Sequence, residues 1–465
     1  MFLPDLVIRS RRVATARGLR PAAVHVRSGR VIGVLEFDNV PSGCPLEDAG
    51  GSALIPGVVD THVHVQGTGW NAEEAFEATT RAAAAGGVTT IIDMPLHRTL
   101  ATTSVSALEA RRRAAGGRCF VDIGFWGGAV PGNGRDLAPL FEAGVFGFKC
   151  VLAPTGVDAL ASVAENDLRV VMPALTRIGA TMLAHAELPG PIEAALALQR
   201  AGRRWVERVP LLARTPRRYA TYLQTRPKDA ENDAVALLVR LCHEYGTRIH
   251  LLHLSSSDAL TPLYHARAAR VPITAETCPH YLYFVAEDVP DGATAFKCAP
   301  PIRERTNREF LWAAVANRLI QMVVSAHSPA PMGIKGRRSG DFATAWSGIP
   351  SLQLALSVVW SGARRRGYSL DQVVDWMCRA PADLAGFARK GRIDVGYDAD
   401  LIVFNPETEF VVDGTLLYDG HTFTPYQGER LQGLVERTYL RGRQVYARGA
   451  TWSQPHGNLL MRSAS

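Results

Sequence analysis

The 465-residue chain has no CxxC pair, and its seven cysteines, Cys44, Cys119, Cys150, Cys242, Cys278, Cys298 and Cys378, are an odd number without scaffold-like spacing. That argues against a disulfide framework and fits a reducing, cytoplasmic setting. No apolar run approaches the roughly 20 residues of a membrane span, and Met1-Phe-Leu-Pro-Asp-Leu-Val-Ile-Arg9 is interrupted too soon for a signal peptide. A soluble protein without a membrane partner is expected. The charge excess is modest, +7, and basic residues fall in short runs such as Arg111 to Arg113, Arg203-Arg204, Arg217-Arg218 and Arg364 to Arg366. Without a clustered basic stripe interleaved with aromatics, these read as solvated helix faces and not as a nucleic-acid groove. With 47% hydrophobic and 20% charged residues, nothing points to disorder.

The length is too great for one core of typical size and suits a large barrel with a smaller domain. Eight short β-branched or apolar runs alternate with alanine- and leucine-rich helical stretches, at 58–62, 89–93, 120–125, 147–151, 181–185, 248–253, 272–276 and 321–325. This alternation predicts a closed (β/α)8 TIM-like barrel over residues 55–390. The helix from Glu73 to Ala85 should stop at Gly86-Gly87. Residues 1–54 and 391–465 read as short alternating strands, expected to form one small β-sandwich built from both termini. The segment Gly449 to Ser465 reads as a surface arm.

In such a barrel, functional side chains sit at the C-terminal ends of strands. Five unusual residues fall there: His62 and His64 in Thr61-His-Val-His64, Lys149 in Gly147-Phe-Lys-Cys150, His185 in Ala184-His-Ala-Glu187, and His253 in Leu252-His-Leu-Ser255. Residues i and i+2 of a strand face one side, so His62 and His64 can aim both imidazoles into one mouth. Histidines on strands are often core residues, and a lysine among apolar neighbours can snorkel or pair with a carboxylate. Held buried and neutral, however, Lys149 can react with carbon dioxide, giving a carbamate able to bridge two cations. The set can therefore hold two divalent metals, which lower the pKa of a water between them and polarise a carbonyl. Imidazole and carboxylate ligands accept zinc, manganese, cobalt, iron or nickel.

From Gly57 to the C-terminal domain the chain resembles the cyclic amidohydrolases of the amidohydrolase superfamily, which include dihydroorotases, hydantoinases and allantoinases, with the allantoinases nearest. The resemblance rests on Pro56-Gly-Val-Val-Asp-Thr-His-Val-His64, Ala84-Ala-Gly-Gly-Val-Thr-Thr90, Gly147-Phe-Lys-Cys150, Ala184-His-Ala-Glu187, Glu276-Thr-Cys-Pro-His-Tyr281 and Lys297-Cys-Ala-Pro-Pro-Ile-Arg303. Ala345-Trp-Ser-Gly-Ile349, Lys390-Gly-Arg-Ile393, Asp398-Ala-Asp-Leu401 and Thr424-Pro-Tyr426 extend it. It implies His62 and His64 on one metal, N6-carboxylated Lys149 as the bridge, and His185 and His253 on the second. It further implies opening of a small cyclic ureide, allantoin to allantoate, by a metal-bridging hydroxide, in a homotetramer or homodimer. Cys278 and Ser328 resemble positions near the substrate.

The departures concern chemistry. The family's aspartate, metal ligand and general base, falls on Ala326 in Val323-Val-Ser-Ala-His-Ser-Pro329, so this chain is expected to be slow or inactive. That alanine is either an engineered knockout or native to a lineage with altered chemistry. Gln66 stands in a loop where allantoinases carry another element, His97 replaces an asparagine, and Ser347 replaces a glycine. These changes leave open a hydantoinase-like or secondary-metabolite cyclic amidase, and a non-catalytic binding or structural relative.

Overall fold

A computed structural model describes residues 3–66, 72–95, 101–154, 161–206, 216–330, 333–420, 422–450 and 454–462. Eight parallel barrel strands are present: β1 (Val58–Val63), β2 (Val88–Asp93), β3 (Asp122–Phe125), β4 (Phe148–Val151), β5 (Met182–His185), β6 (Ile249–Leu251), β7 (Ile273–Thr277) and β8 (Met322–Val323). Strands rich in Val, Ile and Leu suit this place because helices and barrel interior bury both of their faces. The first five strands are buried at every residue.

Pairing runs from β1 to β3 and again from β4 to β8. Two short links join these runs into a barrel. Gly127–Gly128, just beyond β3, pairs with Phe148 and Lys149 of β4. At the other seam Val63 bridges His327, and the His64 amide donates to the His327 carbonyl at 2.8 Å. The eighth strand is shorter than the run at 321–325 suggests because the chain turns at once: the Ser325 amide donates to the buried Asp60 carboxylate at 2.9 Å.

The helix after β1, Ala72–Ala85, does end at the glycine pair. A Cβ on Gly86 would lie 2.8 Å from the Gln353 backbone, and Gly87 has φ +78. The pair stops the helix and lets the turn dock.

Both chain ends join one eight-stranded sheet in the order Arg443–Ala447, Arg430–Leu440, Leu401–Val411, Ala53–Pro56, Leu6–Thr15, Gly18–Arg27 and Arg30–Leu35, with Leu46–Asp48 beside Leu6–Thr15. The sheet curls until its Arg30–Leu35 edge reaches the start of Leu401–Val411: the Ala399 amide donates to the Gly29 carbonyl at 2.8 Å and Arg30 bridges Asp398. Val24, Val31, Leu54, Leu401 and Val403 share a separate apolar core inside the curl. The runs at 400–404 and 409–412 belong to one bulged strand.

The sheet is fastened to the barrel by ions. Lys390, 5% exposed, donates to Asp122 at 2.8 Å and to Asp400 at 2.7 Å, while Arg441 reaches Asp122 at 2.6 Å. The described part of the C-terminal segment lies at the surface as expected, but it is not a free arm. The Ile123 amide donates to the Asn458 carbonyl and the Leu460 amide to the Ile123 carbonyl, so residues 457–462 fill the seam between β3 and β4 on the side away from the mouth. Unpaired backbone at that seam takes this partner because a buried amide without one is costly.

Removing one partner of a buried ion cluster leaves the others desolvated and uncompensated. Lys390→Ala is therefore expected to cost about 3–5 kcal/mol, read as a lower urea midpoint. A loss below about 1 kcal/mol, the scale of an exposed pair, would show that water reaches this joint.

Candidate active site

The mouth is assembled from strand ends, where the chain leaves the ladder and its side chains converge. A cavity of ≈ 120 Å³ there, room for a small ring, is lined by His62, His64, Lys149, His185, His253 and Ala326 among others. The His62 ring centroid lies 5.6 Å from His64 and 5.3 Å from His253, and His185 lies 4.8 Å from His253. The sequence reading thus named residues that the fold brings together.

Each histidine is held by what lies behind it. His62 Nδ1 donates to Glu276 at 2.5 Å, which turns Nε2 to the mouth. Glu276 also receives His250 Nε2 at 3.1 Å and the His253 amide at 3.2 Å. His185 Nε2 donates to Glu187 at 3.0 Å, and Arg226 grips that carboxylate with two donors at 3.0 and 2.6 Å. A carboxylate behind an imidazole fixes its tautomer and leaves the opposite lone pair for a cation.

Burial and charge set the protonation states. Burial draws His62 down to about 4, against the opposing pull of Glu276. Burial also lowers His185 and takes His253 well below the ordinary value. Burial would raise Glu276, but His62 and His250 outweigh it and hold the carboxyl at about 2. Lys149, 2% exposed, is drawn by burial to about 7, with Glu276 opposing. A neutral amine is thus accessible near neutral pH, the form that attacks carbon dioxide.

The donor set fits a pair of divalent ions. His185 Nδ1 and His253 Nε2 face each other at 3.1 Å. Two nitrogens each about 2.0–2.1 Å from one zinc at a tetrahedral angle stand about 3.3 Å apart. Among the described residues no three His, Cys, Asp or Glu side chains meet at one point. They meet in pairs, which is the arrangement left when the third donor on either side is a lysine and the remaining carboxylate is an alanine.

Ala326 is on the wall with φ +46, a left-handed backbone that aspartate and asparagine adopt more readily than alanine. The turn around it is tightly held: the His327 amide donates to Ser325 Oγ at 3.1 Å, and the Ser351 and Leu352 amides donate to His327 Nδ1 at 3.2 and 3.3 Å.

Ser328 and Gln66 line the cavity, whereas His97 lies outside the described residues. Cys278 is fully buried at the start of the helix Pro279–Tyr283 and is not among the lining residues; Cys298 is. Gly348 approaches so closely that a Cβ would lie 2.4 Å from the Ser328 carbonyl. Nothing in the sequence marked Arg226 on the wall, and His280 and Trp346 on the wall and Glu187 and Glu276 behind the histidines stood in its motifs without a role. Glu187 could have been found from its spacing, two residues beyond His185 on the same side of the strand.

The acid behaviour follows from these groups. His62, at about 4, and the buried His280, drawn by burial to about 3, stay neutral in the fold, while their unfolded counterparts take up protons below about 6.5. Their contribution is therefore fully present above pH 6.5 and lost as pH falls towards 4. We expect metal-free protein to lose on the order of 2 kcal/mol per histidine between pH 7 and 5 in urea titrations. A flat profile over that range would show that the imidazoles are solvated.

The amidohydrolase family model matches residues 53–445. An allantoinase of Streptomyces avermitilis is 46% identical over 459 residues, covering 98% of this chain and 99% of that protein. Probable allantoinase 2 of Dictyostelium discoideum is 36% identical over 470 residues, covering 95% and 90%. Among solved structures, the L-hydantoinase (dihydropyrimidinase) of Arthrobacter aurescens superposes with a TM-score of 0.89 at 28% identity, covering 99% of this chain and 100% of that one.

Proposed function

The chain belongs to the amidohydrolase family, and on that premise we propose that its site is built to open the ring of allantoin to allantoate and is slowed by Ala326. The observation that carries this reading is the convergence of four buried imidazoles and one buried lysine at the mouth of the barrel. The relatives named allantoinase supply the substrate.

His62 and His64 would hold one divalent ion, zinc being the first choice, His185 and His253 the other, and Lys149 both. Lys149 does so as a carbamate: its amine lone pair forms the bond to carbon dioxide, and one N–H proton leaves to solvent. Two divalent ions, when bound, supply a water of lowered pKa and polarise the ring carbonyl. Glu276, Glu187 and Arg226 keep the imidazoles aimed, so no reorganisation is needed as charge develops. Ring opening also needs a group that takes a proton from the attacking water and returns one to the leaving nitrogen. A methyl group at 326 does neither. His280, neutral and on the wall, is no substitute by position, since the turn that would carry the base is the one at Ala326.

A second reading, hydrolysis of another cyclic amide, is favoured by Gln66 on the wall. A homodimer or homotetramer is the proposed assembly.

With divalent metal and bicarbonate supplied, Ala326→Asp is expected to hydrolyse allantoin about 10²–10⁴ times faster than this chain. Its stability should hold or rise, because aspartate accepts the left-handed backbone at lower cost. Two metal ions per chain by elemental analysis with no allantoin turnover in either form would favour the second reading. No bound metal in either form would favour a non-catalytic relative.

A further inference from the structure

We propose that Lys335 is a positioning residue that fixes the substrate side of the cavity by stapling two of its walls together. Lys335 is 2% exposed and does not itself line the cavity. Its ammonium donates to the Lys297 carbonyl at 2.7 Å, to the Trp346 carbonyl at 3.2 Å and to the Gly348 carbonyl. The first of these precedes Cys298 and Ala299 on one wall, and the other two lie within the wall formed by Trp346, Ser347, Gly348 and Ile349.

An ammonium carries three N–H donors, and here three carbonyls from two segments converge on it. Burial, with the neighbouring Lys297, draws the amine down to about 7 against Cys298; the three converging carbonyls favour the charged form, because a neutral amine has only two N–H groups to offer. Neighbouring bonds complete the staple. The Gly348 amide donates to the same Lys297 carbonyl at 2.9 Å, the Trp346 amide to the Ile334 carbonyl at 2.8 Å, and Lys297 Nζ to the Ala345 carbonyl at 2.5 Å. The carbonyls of Ala345, Trp346 and Gly348, in and beside this wall, therefore point towards buried cations. His62, His253 and His185 are supported separately, through Glu276 and Glu187. The fold thus divides its labour, with carboxylates behind the metal-facing half and lysines behind the half that would meet the organic ligand. The identity of that ligand rests on the ring-hydrolase reading above, whereas the staple does not.

The test is Lys335→Met in the full chain loaded with metal, read by hydrogen exchange and by calorimetric titration with allantoin. Exchange at the Trp346 and Gly348 amides should quicken about tenfold or more, while amides around His62 and His64 and the metal content keep their values. The allantoin Kd should rise about tenfold, and in an Ala326→Asp background KM should rise far more than kcat falls. Unchanged exchange at 346–348, or a loss spread evenly over the barrel, would overturn the proposal and leave Lys335 a general packing residue. If allantoin binds neither form, the ligand assignment fails while the exchange pattern still decides the staple. Should the methionine variant not fold, Lys335→Arg is read in the same way, because a planar guanidinium cannot aim three donors at one converging set of carbonyls.

Discussion

Glu276 lies wholly buried on β7 and accepts hydrogen bonds from His62 on β1, from His250 on β6 and from the amide of His253 just beyond β6. An unpaired carboxylate in that position would be prohibitive, so the histidines must come to it, and in coming they are aimed. The same pairing keeps the carboxylate ionised, while burial keeps His62 neutral against its pull. Orientation and tautomer in half the mouth thus follow from one buried charge, and Glu187 with Arg226 repeats the arrangement for His185.

Networks of this kind tolerate loss unevenly. A residue with nothing leaning on it can be replaced without collapse, and position 326 is of that sort: the turn is held by its neighbours Ser325 and His327, through Asp60 and the amides of residues 351 and 352. Alanine there removes a reacting group and leaves its platform standing. The backbone still has the left-handed twist that a short acidic side chain prefers, so the platform suits a residue it does not carry.

Much of the architecture was legible because period and position carry it. Eight apolar runs separated by helices dictate a barrel, and polar residues that close such runs mark its mouth. His62, His64, Lys149, His185 and His253 were found that way. Residues that act from behind escaped notice for a physical reason: Glu276 and Lys335 contribute through partners distant in sequence, and nothing local distinguishes a buried carboxylate or ammonium from a surface one. Cys278 misled because its motif is close to the cavity while its own thiol is covered. The C-terminal segment was read as an arm because a short exposed stretch says nothing of its backbone, which is the part that pairs with β3.

That last pairing bears on how the protein comes into being. A barrel whose β3–β4 seam is filled by residues 457–462 lacks a piece until those residues, more than three hundred codons after β3, have left the ribosome. The amino-terminal strands wait likewise, because Ala53–Pro56 lies against Leu401–Val411, encoded hundreds of codons later. Contacts so distant are slow to form, and until they do the edges of β3 and of Ala53–Pro56 offer unpaired backbone to any neighbouring chain. The yield of this protein in a cell should therefore depend less on its final stability than on how long those edges stay uncovered during synthesis.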